Sequence, residues 1–478
     1  MRHRVFFYSI LISAAMLLGG ASYGRTVKGL VTSGNEKLSN VLVTDGTRFT
    51  KTNKAGAFKL KTDKNARFVY IITPSGYAAD WSSGVPQFYK KADEGNFFTF
   101  DLIKNGEDYS TYNIIAVGDP QPHTKANSDE FDGRPLEDIC RTVAELKGPS
   151  VGIVLGDICF DVFPLMERWK KSIVRTGIPF YTVPGNHDHN KKVEGDDILT
   201  LAEYNRQFGP ENHAFHIGKD LVIMLDNIIH QGTKGYKEGY TEQQLNWIRS
   251  LLKSIPADAD LYIGQHSPLH GRSYMKANAK GIINRDELLD IVKGHKTTFI
   301  SGHNHITTIR SYGPEIMEHN VASINGSWWD TYHCKDGTPR GYKVFSKTGD
   351  ELSWYHKAID RDKDFQYEII RPGEGQLNPD YLMVSVWGYD PQWTIEWLED
   401  GKPMGQMKQV TEFSPQHMAE IREVQTRTGK EVKKYRRTIK SNHFFAAKPS
   451  PDASKITINI KDRFGKAWSE DIILRPHQ

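Results

Sequence analysis

The sequence predicts an α/β core flanked by an N-terminal β-sandwich and a C-terminal β-rich domain, and three observations lead to this prediction. Between residues 112 and 330, apolar runs alternate with amphipathic helical stretches, which is the pattern of an α/β fold. Shorter alternating strands, broken by Gly and Asp turns, precede and follow this region and are typical of antiparallel sheets. The 478 residues, 38% hydrophobic and 25% charged, exclude bulk disorder and suffice for several domains.

The first 24 residues have the layout of a secretory signal peptide. Arg2 and Arg4 precede an apolar run over 5–18, and small residues follow at 19–22, so we expect cleavage near Gly24. The alternative is a membrane anchor, although the run is shorter than the roughly 20 residues that a span needs. We therefore expect an exported protein, periplasmic or secreted, with no transmembrane segment in the mature chain.

The N-terminal domain is predicted over residues 25–105 and the α/β domain over 106–335. Turns such as Asp45-Gly46 separate the short strands of the first. In the second, Thr241 is a plausible N-cap for an amphipathic helix that ends near Ile255. The predicted buried strands of the α/β domain are Asn113–Val117, Gly152–Leu155, Ile178–Val183, Leu221–Leu225, Leu261–Gly264 and Phe299–Ser301.

The C-terminal domain is predicted over residues 336–478, with a helix over 415–427. Its predicted strands are Tyr381–Val386, Trp393–Leu398 and Ile456–Ile460. The basic run Lys430–Arg437 reads as a solvated face rather than a binding patch. The tryptophans of this region are predicted to pack in its core, with sugar stacking as the alternative. If the domain caps the active site, Trp387 and Trp393 are the residues expected to affect substrate affinity.

Charge and cysteine content exclude several classes of partner and site. The 62 basic and 58 acidic residues give a net charge of +4, which indicates neither a nucleic-acid polymer nor a membrane surface as a partner. Cys140, Cys159 and Cys334 are odd in number and widely spaced. They therefore predict neither a disulfide framework nor a Cys-rich zinc site.

Polar side chains follow five of the predicted buried strands, where ligands collect in open α/β sheets. Each of these residues alone is a weak signal, but together they form a set of nitrogen and oxygen donors with no thiolate. That set suits Zn, Mn or Fe. Seven donors exceed the needs of one tetrahedral ion, but two ions about 3.5–4 Å apart would accommodate them. The seven are Asp119, Gln121, Asp157, Asn186, His266, His303 and His305.

The order of these blocks, D-x-Q, G-D, G-N-H-D, H and G-H-x-H, resembles that of the calcineurin-like metallophosphoesterases over about residues 112–330. The resemblance implies a two-sheet αββα core and two divalent or trivalent metal ions. Asp119, Gln121 and His305 would bind the first ion, Asp157 would bridge, and the second would be bound by Asn186, His266 and His303.

The resemblance also implies roles for residues that do not bind metal. His187 would stand over the phosphate as a general acid or a stabilising cation, and Asp188 would orient the local turn. The family's first block usually ends in His where this chain has Gln121. Asp161 lies four residues after the bridging Asp157, whereas many members have an Asp at three, so its role in orienting His187 is an open question. His123 and His189 lie near the same rim, either supporting the ligands or as exposed loop residues.

An aromatic segment follows the last metal block. The whole chain resembles exported three-part bacterial members of the family that carry similar Gly-Ser-Trp-Trp and Asp-Gly-Thr-Pro sequences. Trp328, Trp329 and Tyr332 are candidates for a wall around the substrate's organic group, and Arg340 for a contact with a second charge. Packing between domains explains these residues equally well.

The expected function is hydrolysis of phosphate esters by attack of a metal-bound hydroxide. The substrate would be a small phosphate ester or a phosphorylated envelope component, with diesters or nucleotide-like compounds slightly favoured. The alternatives are a phosphomonoesterase of the same fold and a non-catalytic surface protein that binds a glycan or a protein and keeps a structural metal site.

Overall fold

The computed structural model describes residues 24–105, 109–271 and 281–474. The expected signal peptide therefore lies, apart from Gly24, outside the described residues. Among the helices within these ranges, none combines the length and apolar character needed to cross a membrane. Cys140, Cys159 and Cys334 are all free thiols.

The N-terminal region contains two four-stranded sheets that share a core, and a separate two-stranded sheet. One sheet has the order β2-β1-β5 with β9 beside β1, and the other has the order β4-β3-β6-β8. Alternation along the strands buries Val27, Val31, Phe58 and Leu60 between them. The strands are β1 (Thr26–Ser33), β2 (Glu36–Lys37), β3 (Leu42–Thr44), β4 (Phe49–Lys51), β5 (Ala57–Lys61), β6 (Phe68–Ile71), β7 (Tyr77–Ala78), β8 (Tyr89–Lys91), β9 (Phe97–Asp101) and β10 (Ile103–Lys104).

The central region contains two sheets with helices outside them, and the two-sheet α/β prediction is confirmed. Its strands are β11 (Thr111–Val117), β12 (Ser150–Leu155), β13 (Phe180–Val183), β14 (His213–Ile217), β15 (Asp220–Leu225), β16 (Ile228–His230), β17 (Tyr236–Glu238), β18 (Leu261–Gln265), β19 (Thr297–Ser301), β20 (Thr308–Ser311), β21 (Ile316–Asn320), β22 (Gly341–Thr348) and β23 (Glu351–Ala358). Its helices are α1 (Lys125–Asp132), α2 (Arg134–Glu145), α3 (Pro164–Ile173), α4 (Asp197–Thr200), α5 (Ala202–Phe208), α6 (Glu242–Leu252) and α7 (Arg285–Val292).

The two central sheets have the orders β13-β12-β11-β22-β23 and β14-β15-β18-β19-β21-β20. Their inner faces share one apolar core, and α1–α3 cover the first sheet while α6 and α7 cover the second. β11, β12 and β13 are mutually parallel, as are β15, β18, β19 and β21. Parallel order brings their carboxyl ends to one edge of each sheet. Helix α6 begins at the predicted cap, because Thr241 Oγ1 accepts from Gln244 N and the Gln244 side chain accepts from Thr241 N.

The predicted boundary after residue 335 differs from the sheet pairing, because β22 and β23 belong to the first central sheet. The sequence assigned residues 336–478 to the C-terminal domain, but β22 pairs antiparallel with β11 along residues 111–116. The chain thus returns to complete the first sheet before it enters the last domain. Strand texture alone cannot tell which sheet a strand joins.

The C-terminal region consists of two four-stranded sheets, β24-β25-β29-β28 and β27-β26-β30-β31, with one α-helix. Trp387 is fully buried and Trp393 stacks on Trp468 with 5.9 Å between ring centroids, so the packing interpretation fits both. The elements are β24 (Tyr367–Ile370), β25 (Leu382–Val386), β26 (Thr394–Glu399), β27 (Lys402–Gln406), β28 (Lys408–Phe413), α8 (Pro415–Thr428), β29 (Lys440–Ala447), β30 (Lys455–Lys461) and β31 (Ala467–Ile473).

Side-chain contacts join the flanking regions to the central one. On the N-terminal side, Trp247 Nε1 donates to Thr44 Oγ1 at 3.3 Å. On the C-terminal side, His333 Nδ1 lies 2.8 Å from Glu420 Oε1 and its Nε2 lies 3.6 Å from Glu368 Oε1.

Candidate metal centre

The seven predicted metal ligands lie at the carboxyl ends of strands from both central sheets. Asp119, Asp157 and Asn186 follow β11, β12 and β13, while His266 and His303 follow β18 and β19. All seven side chains are buried or nearly so. The site therefore sits where the two sheets open toward a common rim.

Five of the seven positions adopt a left-handed backbone conformation that non-glycine residues rarely take. These positive φ angles cluster at the strand ends and aim consecutive side chains in directions that a strand or helix would not allow. The angles are 49° at Asp119, 43° at Gln121, 52° at Asp157, 70° at His303 and 51° at His305.

Asp157 lies at the centre of the arrangement. Its Oδ1 is 3.4 Å from His266 Nε2 and accepts a 2.8 Å hydrogen bond from His187 N. Its Oδ2 accepts from the Gln121 amide. Because an amide coordinates a cation through its oxygen, Gln121 would have to turn Oε1 toward an ion in order to hold it. Burial alone would raise the pKa of Asp157, but His266 and His187 hold it well below its usual range.

The histidines share a pattern that fits metal ions. His266 Nδ1 lies 2.6 Å from the carbonyl oxygen of Leu155, and His303 Nε2 lies 3.2 Å from Glu238 Oε1. Each far nitrogen thus donates its proton to an acceptor, so that in the neutral ring the near nitrogen carries the lone pair. The near nitrogens, His266 Nε2 and His303 Nδ1, face each other at 3.0 Å. Only a proton or a cation stabilises such a pair, and bound ions would fill this need.

His305 repeats the pattern at the other end of the site. Its Nδ1 lies 3.0 Å from the carbonyl oxygen of Gly326. Its buried Nε2 has no hydrogen-bond partner and lies 3.7 Å from Asp119 Oδ1. Burial, together with the neighbouring Lys335, lowers the pKa of His305 well below its usual range, so this ring stays neutral as a metal ligand must.

The pKa values of Asp119 and His266 are both raised above their usual range. Burial raises the pKa of Asp119 to about 7, and the nearby Asp157 adds to the effect. Burial opposes the charge on His266, yet Asp157 and Asp119 raise its pKa to about 10. The raised pKa of His266 thus reflects the two carboxylates beside it, whose negative charge divalent ions would neutralise.

His187 is held beside this centre by residues that do not bind metal. Its ring stacks on Phe160, with centroids 3.9 Å apart. Its Nδ1 lies 3.1 Å from Asp161 Oδ2 and 3.0 Å from Lys191 Nζ. The structure therefore brings Asp161 into the position expected of a residue that orients His187, despite its shifted spacing. Lys191 has no sequence signal of its own.

Asp188, which follows His187, accepts hydrogen bonds from backbone N–H groups. Its carboxylate accepts from the N–H groups of Ile158, Cys159 and Gly185 at 3.0, 3.2 and 2.9 Å. These bonds join the loop after β12 to the loop after β13. Asp188 is thus a positioning residue for the loops that carry Asp157 and Asn186.

A cavity of about 800 Å³ opens over the centre. The C-terminal region contributes Lys434, Tyr435 and Ile439 to its wall, so the basic run 430–437, although mostly exposed, borders the cavity. The other lining residues are Gln121, Asp157, Phe160, Asn186, His187, Tyr236, His303, Asn304, His305, Ile306, Trp328 and Lys335.

Of the four predicted substrate contacts, only Trp328 lines this cavity. It stacks on His305, with centroids 4.1 Å apart, and meets Tyr435 edge-on at 5.2 Å. Two contacts fix the segment that carries Tyr435: Ser327 Oγ donates to Arg436 O at 3.0 Å, and Ile439 N donates to Lys335 O at 3.0 Å.

The other three predicted substrate contacts bond to neighbouring parts of the protein instead; they are Trp329, Tyr332 and Arg340. Trp329 Nε1 donates to the carbonyl oxygen of Pro120 at 2.9 Å, and Tyr332 Oη donates to Ile359 O at 2.8 Å. The Arg340 guanidinium lies 5.8 Å from the ring centroids of both and pairs with Glu130 at 2.6 Å. The aromatic segment thus turns only its first tryptophan toward the cavity.

The two loop histidines that the sequence singled out lie in different settings. His123 is exposed and meets Phe160 edge-on, with centroids 6.0 Å apart. His189 is fully buried, with its Nε2 3.3 Å from Asp197 Oδ1. Glu238 and Tyr435, which contact the ligands or line the cavity, lie in loops and short strands that carry no recognisable motif.

Comparison with known proteins identifies one family along most of the chain. Residues 112–307 match the family described as Calcineurin-like phosphoesterase; residues 25–105 and 318–468 match the N terminal and C terminal of Calcineurin-like phosphoesterase. A probable glycerophosphodiester phosphodiesterase GpdQ of Arcobacter nitrofigilis is 25% identical over 163 residues, which are 33% of this chain. The chain spans 56% of that relative's length.

Two solved structures match this chain at low similarity. A dimetal phosphatase from Danio rerio is 14% identical, with a TM-score of 0.36 over 52% of this chain and 96% of its own. A 5'-nucleotidase from Candida albicans is 12% identical, with a TM-score of 0.32 over 53% of this chain and 55% of its own. On the evidence of the three matched segments, this chain belongs to the calcineurin-like phosphoesterase family, with the family's N- and C-terminal domains on either side of the phosphoesterase domain.

Proposed function

We propose that the protein is an exported phosphoesterase that uses two metal ions to hydrolyse small phosphate esters, with diesters or nucleotide-like compounds preferred. The observation that carries this proposal is the convergence of seven nitrogen and oxygen donors at one rim, five of which line an open cavity together with His187. Mn, Zn and Fe all suit this donor set. When bound, two such ions activate a water molecule and neutralise charge on the phosphoryl oxygens.

The protein's own residues supply orientation and proton transfer. Phe160 and Asp161 fix the His187 ring through its face and its Nδ1, so Nε2 is the nitrogen expected to meet the leaving oxygen. There it donates a proton or stabilises the developing negative charge. Asp188 keeps the loops of Asp157 and His187 in register through its three backbone contacts.

The preference for an organic ester rests on the aromatic part of the cavity. Trp328 and Tyr435 both line the cavity and meet edge to face, and aromatic side chains at a cavity wall suit a planar or sugar-like group. Lys434 adds a positive charge at the same wall. The name of the Arcobacter relative, a probable phosphodiesterase, is consistent with a diester.

The test is metal-restored hydrolysis by the purified, exported chain. After chelation and return of Mn, Zn, Fe or Mg, we expect turnover of a chromogenic diester, lost in Asp157→Asn and in His187→Ala. Asp286→Asn is a matched control, since that carboxylate is exposed on α7. Absence of turnover with every ion, in a folded protein that binds two metals, would contradict the proposal.

Two further measurements address substrate and location. Comparing kcat/KM for a monoester and a diester of the same chromogenic alcohol tests the preference. N-terminal sequencing of protein recovered from the periplasm or medium tests export, with a first residue near Gly24 or Arg25 expected. Retention of the full chain in the cytosol would contradict it.

A further inference from the structure

A second cluster of metal-binding side chains lies behind the catalytic loop and shares no residue with the seven ligands. His189, Asp197 and Asp226 each present one ligand atom, and these atoms all lie within 4.8 Å of one another. His189 Nε2 is 3.3 Å from Asp197 Oδ1 and 3.9 Å from Asp226 Oδ2. None of the three residues lines the catalytic cavity.

His189 has the same arrangement as the histidines of the catalytic centre. Its Nδ1 lies 3.0 Å from the carbonyl oxygen of Gly185, which fixes the proton on Nδ1 in the neutral ring. The lone pair of Nε2 then faces two carboxylates. This contact is repulsive unless a proton or a cation lies between the three atoms, and a carbonyl behind the far nitrogen is typical of metal-binding histidines.

Unpartnered buried nitrogens supply a second, independent observation. His189 Nε2 makes no hydrogen bond of acceptable geometry although its side chain is fully buried. His230 is only 2% exposed, and neither of its ring nitrogens has a partner. The two rings stack 5.3 Å apart and 17° from parallel. Buried polar atoms without partners are costly in free energy. An ion bound here would give His189 Nε2 a partner.

The charge and the surroundings also favour a cation. Asp197 and Asp226 line a cleft of about 690 Å³ between the N-terminal and central regions. Asp45, Asp63 and Glu211 line it too. Such a cleft concentrates cations and provides a path for entry.

We propose that His189, Asp197 and Asp226 bind a third divalent transition-metal ion, separate from the catalytic pair. One imidazole and two carboxylates suit Zn or Mn. Ligands about 2.0–2.1 Å from a tetrahedral zinc lie about 3.3 Å from one another, and His189 Nε2 lies 3.3 and 3.9 Å from the two carboxylate oxygens. The ion ties the loop after Asp188, the first turn of α4 and the end of β15 together.

Metal content of the full chain tests this proposal without an activity assay. After chelation, saturation with Zn²⁺ and gel filtration, we expect three zinc ions per chain by mass spectrometry. Asp226→Asn and His189→Gln should each bind one fewer. Asp196→Asn, which alters a neighbouring carboxylate of the same cleft, should still bind three. A wild-type content of two that Asp226→Asn leaves unchanged would overturn the proposal.

Anomalous diffraction from wild-type crystals at the zinc edge covers the case in which the variants fail to fold. A peak between His189 Nε2 and Asp226 Oδ2 is the expected result, and peaks confined to the catalytic centre would overturn the proposal. The experiments can refute the proposed catalytic metal centre and the proposed third metal site independently of each other. A lone zinc in the His189 cluster would contradict the catalytic one, and zinc restricted to the seven-ligand site would contradict this one.

Discussion

Asp161 offers the sharpest test of how the catalytic histidine is oriented. The carboxylate contacts His187 Nδ1 at 3.1 Å and also pairs with Lys191 at 2.8 Å, and it occupies none of the seven ligand positions. We expect Asp161→Asn to lower kcat by weakening the hold on the His187 ring, while leaving the metal ions in place.

The size of the effect follows from the exposure of this contact. A hydrogen bond involving a charged group is worth about 1.5–3 kcal/mol, and the Asp161 side chain is 39% exposed, so solvent screening reduces the contribution to about 1–2 kcal/mol. Because about 1.36 kcal/mol corresponds to a factor of ten in rate, kcat should fall about 5- to 30-fold.

The assay is steady-state hydrolysis of the diester, with metal content measured on the same samples. We expect KM and metal content to match the wild type, and Asp286→Asn to behave as wild type. The decisive sample is Asp161→Asn combined with His187→Ala, which should be no slower than His187→Ala alone. Two results would refute the argument that Asp161 acts through His187. One is a decrease in kcat from Asp161→Asn that is as large in the His187→Ala protein as in the wild type. The other is loss of a metal ion in the Asp161→Asn single variant.

Three further predictions concern stability, the metal centre and the cavity wall. Burial disfavours the charged form of His333, but its two glutamate partners raise its pKa to about 9. That pKa lies above the value of about 6.5 in the unfolded chain, so this stabilisation is complete below pH 6.5 and is lost as the pH rises through about 9. Over this pH range, urea denaturation should show the free energy of unfolding decrease by up to about 3 kcal/mol, and His333→Gln should abolish this decrease. Gly156→Ala should lose metal and activity together, since φ is +81° and a Cβ would lie 2.6 Å from His266 Nδ1; full metal content by mass spectrometry would contradict this. Tyr435→Ala should raise KM about 2- to 10-fold for an aryl or nucleoside ester and leave that for a methyl ester unchanged; equal effects on both would argue against ring contact.

The sequence predicts the ligands well because each follows a buried strand whose apolar run is plain. Asp119, Asp157 and His266 all lie at such positions, and parallel pairing brings them together without further information. Gln121 is predicted from its neighbours in the same block, although the orientation of its amide depends on hydrogen bonds that spacing does not reveal.

The rest depends on contacts between segments far apart in the chain. Glu238 reaches His303 across 65 residues, and Tyr435 meets Trp328 from another domain. Neither pairing leaves a local pattern. For the same reason β22 and β23 resemble strands of any β domain, and Trp329 and Arg340 have the composition of a binding wall although they pack between helices and loops.

The left-handed backbone at five ligand positions has a consequence for how the chain tolerates change. Each such residue costs about 1–2 kcal/mol relative to glycine, which adopts this conformation freely. Replacing a ligand such as His303 by glycine would relieve strain and remove an imidazole from a site crowded with unpaired charge. Some mutations that abolish the metal centre should therefore increase the stability of the ion-free chain. A search for thermostable variants that omits an activity screen would then select inactive ones.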